Sequence, residues 1–176
     1  MSRLPKQHQW LSLEDAPRHL LKALELYGTA EIVGPKHNPV IMSWAKELKI
    51  DYYKNDEIPW CGLFMAIVMR RAERPVVKDP LRALSWATFG VDVKTPMLGD
   101  VLTFTRNGGG HVGLYVFENA THFGVLGGNQ GNAVSITMIA KSRLFKVRRP
   151  AYNAMPANVR AINLNGAGVP ITTNEA

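Results

Sequence analysis

The sequence contains a single cysteine, Cys61, among its 176 residues. One thiol cannot form a disulfide within the chain, so the fold does not depend on disulfide bonds and the redox compartment stays undecided. Long apolar runs are also missing, since the longest, from Leu63 to Met69, has the length of a core helix and not of a membrane span. We therefore predict a globular chain without a transmembrane segment.

A signal-peptide pattern is missing as well, because no apolar stretch follows the charged residues at the N-terminus. We accordingly expect synthesis in the cytoplasm of a host cell without a signal peptide. Any action outside the cytoplasm then depends on release by another factor.

Acidic residues are few: 14 Asp and Glu stand against 21 Lys and Arg, which gives a formal net charge of +7. Such an excess favours anionic partners, among them an anionic cell envelope. The densest cationic cluster, from Lys141 to Arg149, alternates with apolar residues, which favours the solvated face of a strand over a dedicated binding patch. No nucleic-acid-binding motif accompanies the charge, so we predict no nucleic-acid partner.

The hydrophobic pattern changes its period between the two halves of the chain. In the front half apolar residues recur at helical spacing, which predicts helices. The first ends at Gly28, the second is capped by Asn38, the third starts near Pro59, and a short fourth is capped at Asp79. In the back half, alternation between turn signals predicts strands over 100–105, 112–118, 121–126, 134–139 and 143–147. Helices followed by an antiparallel meander predict an α+β fold, with N-terminal helices packed on a C-terminal sheet.

Residues 1–150 have the length and apolar content of one domain. After Pro150 the composition shifts to Ala, Asn, Gly and Pro without a clear period. We therefore interpret residues 151–176 as a surface-hugging or loose tail and not as a second domain.

Cys61 lies at the predicted start of the third helix, because proline is favoured at a first helical turn and Pro59 precedes it closely. Unpaired N–H groups and the positive end of the helix dipole favour thiolate there, so we expect a pKa below the ~8.5 of a free thiol. A lone cysteine is more often a small buried hydrophobe, and Cys61 by itself favours that interpretation.

Two further residues make Cys61 a candidate nucleophile. His111 follows three glycines and begins a predicted strand, where a fixed imidazole can accept a proton from a thiol on a packed helix. Asn129, in the Gly-rich turn after the next strand, is a candidate for orienting that imidazole, although an Asn in such a turn is usually a turn former.

Three segments, 56–62, 99–104 and 110–115, together resemble the NlpC-type and CHAP cysteine peptidases, which are papain-like enzymes that cut peptidoglycan. The segments 31–35 and 37–39, together with 126–130, are similar to a phage-associated branch of that family. The resemblance implies a papain-like fold with Cys61 as nucleophile and His111 as base, and Asn129 falls where the family places its third polar residue. It also implies a monomeric phage endolysin that acts on peptidoglycan, as a stem-peptide endopeptidase or as an N-acetylmuramoyl-L-alanine amidase.

Four residues are candidates for contacting such a substrate. Trp60 and Trp86 offer surfaces for stacking on sugar or peptide, although an aromatic beside a core helix is more often packing. Glu31 and Asp56 are candidates for lining the groove. The histidines are scattered without metal-motif spacing, so we predict no metal and no other cofactor, with a calcium site on loop carboxylates as the alternative.

Two functions of other classes stay open at the level of sequence. The first is a non-catalytic wall-binding or structural module on the same fold, against which the presence of both Cys61 and His111 argues. The second is an injected effector with acyltransferase or deamidase activity, since the same thiol chemistry serves those reactions.

Overall fold

The computed structural model of the chain describes residues 4–164. Over these residues it is an α+β protein in which helices come mostly first, and the predicted fold class is confirmed at that level. The α-helices are α1 (Arg18–Glu25), α2 (Pro39–Glu47) and α3 (Cys61–Arg71), with 3-10 helices at Lys6–Ser12, Ala83–Thr88 and Lys141–Arg143. The strands are β1 (Val91–Asp92), β2 (Val101–Arg106), β3 (Gly109–Glu118), β4 (His122–Gly127), β5 (Ser135–Ala140) and β6 (Leu144–Arg149).

The six strands form one antiparallel sheet in the order β1-β6-β2-β3-β4-β5. Strands β2 to β5 follow one another as the predicted meander. The meander does not extend to β6, which returns to the far side of β2 and pairs Val147 with Leu102. Alternation in a sequence shows that a strand is half-buried, but it does not show which neighbour the strand joins.

Helix α3 forms the centre of the main hydrophobic core. Every residue from Cys61 to Met69 is buried. The helix is buried all round because α1, α2, β3 and β4 all contact it. A helix that is apolar all round belongs inside a protein, so this burial fixes the position of Cys61.

The start of α3 is also held by close backbone contact. A Cβ atom at Gly62 would lie 2.2 Å from the carbonyl oxygen of Pro80 and 2.6 Å from that of Leu81, so only glycine fits. Trp86 donates its Nε1–H to the same Pro80 oxygen at 3.0 Å. With residues 80 and 81 committed to these contacts, the predicted helix capped at Asp79 does not form, and a 3-10 helix starts at Ala83 instead.

The N-terminus of α2 follows its local sequence. Asn38 accepts a hydrogen bond from the N–H of Val40 at 2.8 Å, and Pro39 occupies the first turn. The predicted cap is confirmed, because both interactions lie within three consecutive residues and depend on nothing more distant.

A buried ion pair fastens β6 to the start of β2. Arg149 contacts Asp100 with two nitrogens, Nε at 2.9 Å and Nη2 at 2.7 Å, and Asp100 also accepts from the N–H of Met97. Burial raises the pKa of Asp100, and the contacts with Arg149 and Met97 oppose that effect. Loss of Arg149 would leave a buried carboxylate without its cation, which is costly.

Residues 151–164 run along the surface of the domain. The Glu118 N–H donates to the carbonyl of Ile162, and the Leu164 N–H donates back to the carbonyl of Glu118. The side chains of Val159 and Ile162 are buried. The rest of the predicted tail, 165–176, lies outside the described residues. No helix within residues 4–164 is long and apolar enough to span a bilayer.

His19 is a neutral histidine built into the core. It is fully buried and donates its Nε2–H to the carbonyl of Gly99 at 2.7 Å. Gly99 has φ 87°, and a Cβ there would lie 3.0 Å from His19 Nε2, so glycine is required by both conformation and space. Burial lowers the pKa of His19 to about 4.

We expect acid to destabilise the fold through His19. Its folded pKa of about 4 lies below the unfolded value of 6.5, so its contribution is complete above pH 6.5 and is lost as pH falls towards 4. The shift corresponds to about 3 kcal/mol of unfolding free energy. Urea unfolding between pH 4 and 7 should show a weaker pH dependence in His19→Gln, and parallel curves for the two proteins would contradict this assignment.

Candidate active site

Cys61 is the first residue of α3. The helix therefore starts two residues after Pro59, near which the sequence predicted its start. Its sulfur accepts hydrogen bonds from the backbone N–H groups of Val112, Gly62 and Cys61 itself. Val112 follows His111 directly, near the start of β3. The structure therefore brings the thiol to the residue that follows His111, at one end of the sheet.

The protonation state of Cys61 differs from the expectation. The side chain is 3% exposed, and burial, the largest effect, raises the pKa of the thiol. The three N–H groups and the charge of Arg106 act in the opposite direction, but they do not overcome the loss of solvation. The prediction of a lowered pKa considered only the helix start and not the complete burial of that start, so the resting residue is a neutral thiol.

His111 is fully buried, and its ring stacks on Phe104 with centroids 6.4 Å apart. Its Nε2 lies 2.9 Å from Oε1 of Gln130. The amide of Gln130 is oriented by its nitrogen, which donates to the carbonyls of Val125 at 3.1 Å and Ser135 at 2.6 Å. The atom facing His111 is therefore an oxygen, which can only accept a hydrogen bond.

This network assigns the tautomer of His111. Because Gln130 Oε1 accepts, Nε2 must carry the proton of the neutral ring, and Nδ1 is left as the basic nitrogen. An imidazole with basic Nδ1 and its other nitrogen held by an amide oxygen is the form that can accept a thiol proton.

Gln130 contacts the Nε2 atom of His111, and the orienting role predicted for Asn129, the residue before it, stays a prediction. Asn129 is also buried, and its backbone is left-handed with φ 58°. Gly131 and Asn132 are left-handed too, at φ 62° and 60°, so the turn reverses sharply around Gln130. A signal was present in the sequence: glutamine is not a turn former, and it stands between residues that are.

Gly127 leaves the space that the His111–Gln130 contact needs. A Cβ at that position would lie 2.7 Å from Gln130 Oε1 and 3.2 Å from His111 Nε2. Gly128 is equally constrained, since its Cβ would lie 2.5 Å from the Cβ of Phe64 in α3. The Gly-Gly pair therefore lets one turn approach both the histidine and the cysteine helix.

The candidate stacking surfaces are not available to a ligand. Trp60 and Trp86 are both fully buried, and each ring NH is already used. Trp60 donates to Glu31 Oε2 at 3.0 Å, next to the nucleophile in sequence. Both rings pack in the core, and Glu31 anchors a ring in place of lining an open groove.

Asp56 is fully buried and fastens the loop before α2. Its carboxylate accepts from the N–H of Asn38 at 2.7 Å, from the N–H of Ile32 at 3.2 Å and from His37 Nδ1 at 3.0 Å. Burial tends to raise the pKa of Asp56, but these hydrogen bonds together lower it. Its role is to hold the 31–38 loop beside the segment that precedes Cys61. Among residues 4–164 no three His, Cys, Asp or Glu side chains converge as metal ligands do.

The cationic cluster from Lys141 to Arg149 carries much of its charge in ion pairs. Lys141 pairs with Glu118, and Lys146 and Arg148 both contact Asp92, at 3.2 and 3.3 Å. Together with the Arg149–Asp100 pair, these contacts favour the solvated-face interpretation of the cluster over a wall-binding patch.

Comparison with protein-family models and with curated proteins finds no match to this chain. The site is therefore interpreted from its own geometry.

We expect Cys61 of the native protein to be alkylated slowly at neutral pH. Burial raises its pKa, so the reactive thiolate is scarce until the pH exceeds the ~8.5 of an ordinary thiol. Mass spectrometry after iodoacetamide treatment reports this residue alone, because the chain has one cysteine. The same protein in urea serves as the control with an ordinary profile. A native rate that already levels off in mild acid would show a low-pKa thiolate instead.

Proposed function

We propose that the protein is a cysteine hydrolase that cleaves an amide bond of peptidoglycan. The observation that supports it most is the Gln130–His111 contact, which lies one residue along β3 from the Val112 N–H that bonds the Cys61 sulfur. Because the Gln130 oxygen accepts from Nε2, the unprotonated nitrogen of His111 is Nδ1, and an unprotonated nitrogen is what a general base needs. Gln130 in the β4–β5 turn contacts His111 in β3, and the sulfur of Cys61 in α3 accepts from the N–H of Val112, the residue after His111.

The reaction begins from a neutral pair. His111 Nδ1 takes the thiol proton as the Cys61 sulfur attacks the substrate carbonyl, so thiolate forms only with its reaction partner in place. The N–H groups around the sulfur stabilise the negative charge as it appears. Collapse of the tetrahedral intermediate breaks the C–N bond, gives a thioester and transfers the proton from His111 to the leaving amine.

The second half of the reaction regenerates the thiol. His111 removes a proton from water, the resulting hydroxide adds to the thioester carbonyl, and the C–S bond breaks. The Cys61 sulfur takes the proton back from His111 as the acid product leaves. Gln130 keeps its hydrogen bond to Nε2 throughout, so the ring does not rotate between the two steps.

The substrate class comes from the resemblance to NlpC-type and CHAP peptidases. That resemblance supports a phage endolysin that waits in the host cytoplasm and reaches the wall after holin-type release. The bond lies within the stem peptide or between muramic acid and L-alanine.

Digestion of purified sacculi tests the proposal. Wild-type protein should release soluble fragments whose masses identify the broken bond, and Cys61→Ser should release none while keeping the wild-type thermal midpoint. Serine preserves the size of the side chain but is a much poorer nucleophile without a matched base. Fragment release by Cys61→Ser at the wild-type rate would reject a cysteine hydrolase, and wall binding without cleavage by the wild type would favour a non-catalytic module.

Replacing the orienting group should lower turnover without removing the nucleophile. We expect Gln130→Ala to reduce kcat by about 10²- to 10³-fold, because the imidazole loses its fixed tautomer. Asn129→Gly is the matched control. Asn129 has a left-handed backbone, which glycine adopts readily, so this change removes only the side chain. Its loss should be much smaller. An equal loss of kcat in both variants would show that the Asn129 side chain matters to turnover as much as that of Gln130.

A further inference from the structure

An open depression lies at the end of the β2–β3 hairpin. Its volume is about 610 Å³, and the described residues that line it are Thr105, Arg106, Asn107 and Arg143. Two of the four carry positive charge and none carries negative charge. A surface of this composition suits an anionic ligand.

Arg106 differs from the arginines of β6. Those at 148 and 149 are engaged by Asp92 and Asp100, whereas Arg106 forms no ion pair within residues 4–164. Its Nε is buried and has no hydrogen-bond partner among those residues. A buried guanidinium nitrogen without an acceptor is costly, and the cost is offset when a ligand supplies the acceptor.

The position of Arg106 connects the depression with the candidate active site. In the β2–β3 ladder Arg106 pairs with Gly109, two residues before His111, and Phe104 pairs with His111 itself. The Arg106 Nε lies 3.9 Å from the point that a Gly109 Cβ would occupy. Alternate residues of a strand share a face, so Arg106 lies over the same face as the His111 ring. Its positive charge also reaches the Cys61 sulfur.

We propose that Arg106 binds a carboxylate of the substrate in this depression, so that the enzyme selects acidic peptides over their amidated counterparts. The inference rests on the proposed function, because it names the group recognised beside the same cysteine. A guanidinium presents parallel N–H donors that match the two oxygens of a carboxylate, which a neutral carboxamide cannot match. The stem peptides of peptidoglycan carry such carboxylates.

Binding to an inactive variant tests this without requiring cleavage. Calorimetry with Cys61→Ala compares a synthetic stem peptide with the same peptide amidated at its carboxylates. We expect the acidic peptide to bind about tenfold or more tightly, as is usual for a hydrogen bond between charged groups. Adding Arg106→Gln should remove the difference. Adding Arg82→Gln, an exposed arginine outside the depression, should preserve it.

Equal affinities for the two peptides would overturn the inference, and so would a preference that survives Arg106→Gln. If the glutamine variant is unstable, Arg106→Met keeps the aliphatic stem and provides the same comparison. Digestion of sacculi by the wild type separates the two proposals. Cleavage without a carboxylate preference rejects only the role of Arg106, and a preference without cleavage rejects only the hydrolase.

Discussion

The side-chain amide of Gln130 is the interaction on which the rest of the candidate site depends. Its nitrogen is used twice, on the carbonyls of Val125 and Ser135, and its oxygen once, on His111. The first two bonds leave the oxygen only one direction in which to point. Buried polar networks are stabilising when all members are satisfied and costly when one is removed. The β4–β5 turn therefore closes and orients the histidine through the same residue.

Two opposing effects decide the state of Cys61. A helix start with three N–H groups aimed at sulfur favours thiolate, and burial in the centre of the core favours thiol. Burial wins, because removing a charge from water costs more than a few partial charges return. In the proposed reaction this arrangement keeps the thiol unreactive towards small electrophiles. It becomes a nucleophile only when a substrate carbonyl is present to receive the charge.

The sequence was most informative where the interactions are local. The Asn38 cap, the start of α3 at Cys61 and the four strands of the meander each depend on residues close together in the chain. The placement of β6 beside β2, with its ladder and the Asp100–Arg149 pair, joins positions far apart in the chain, so periodicity could not reveal it. The contact of Gln130 with His111 depends on a turn in which Asn129, Gly131 and Asn132 have left-handed backbones. Composition indicated a turn at that place but not its internal geometry.

Much of the positive charge of the chain is paired with acidic residues in the fold, which changes what that charge can do. A net charge of +7 and a cationic strand first suggest attraction to a polyanionic wall. In the fold, Asp92 and Glu118 lie against that strand and reduce its field, and long-range attraction between exposed charges is further screened beyond roughly 8 Å at physiological salt. Arg106 is subject to neither limit, since its Nε is buried and lacks an acidic partner among the described residues. In the proposed recognition, the charge that binds the substrate is then the single guanidinium of Arg106, acting at short range on one carboxylate.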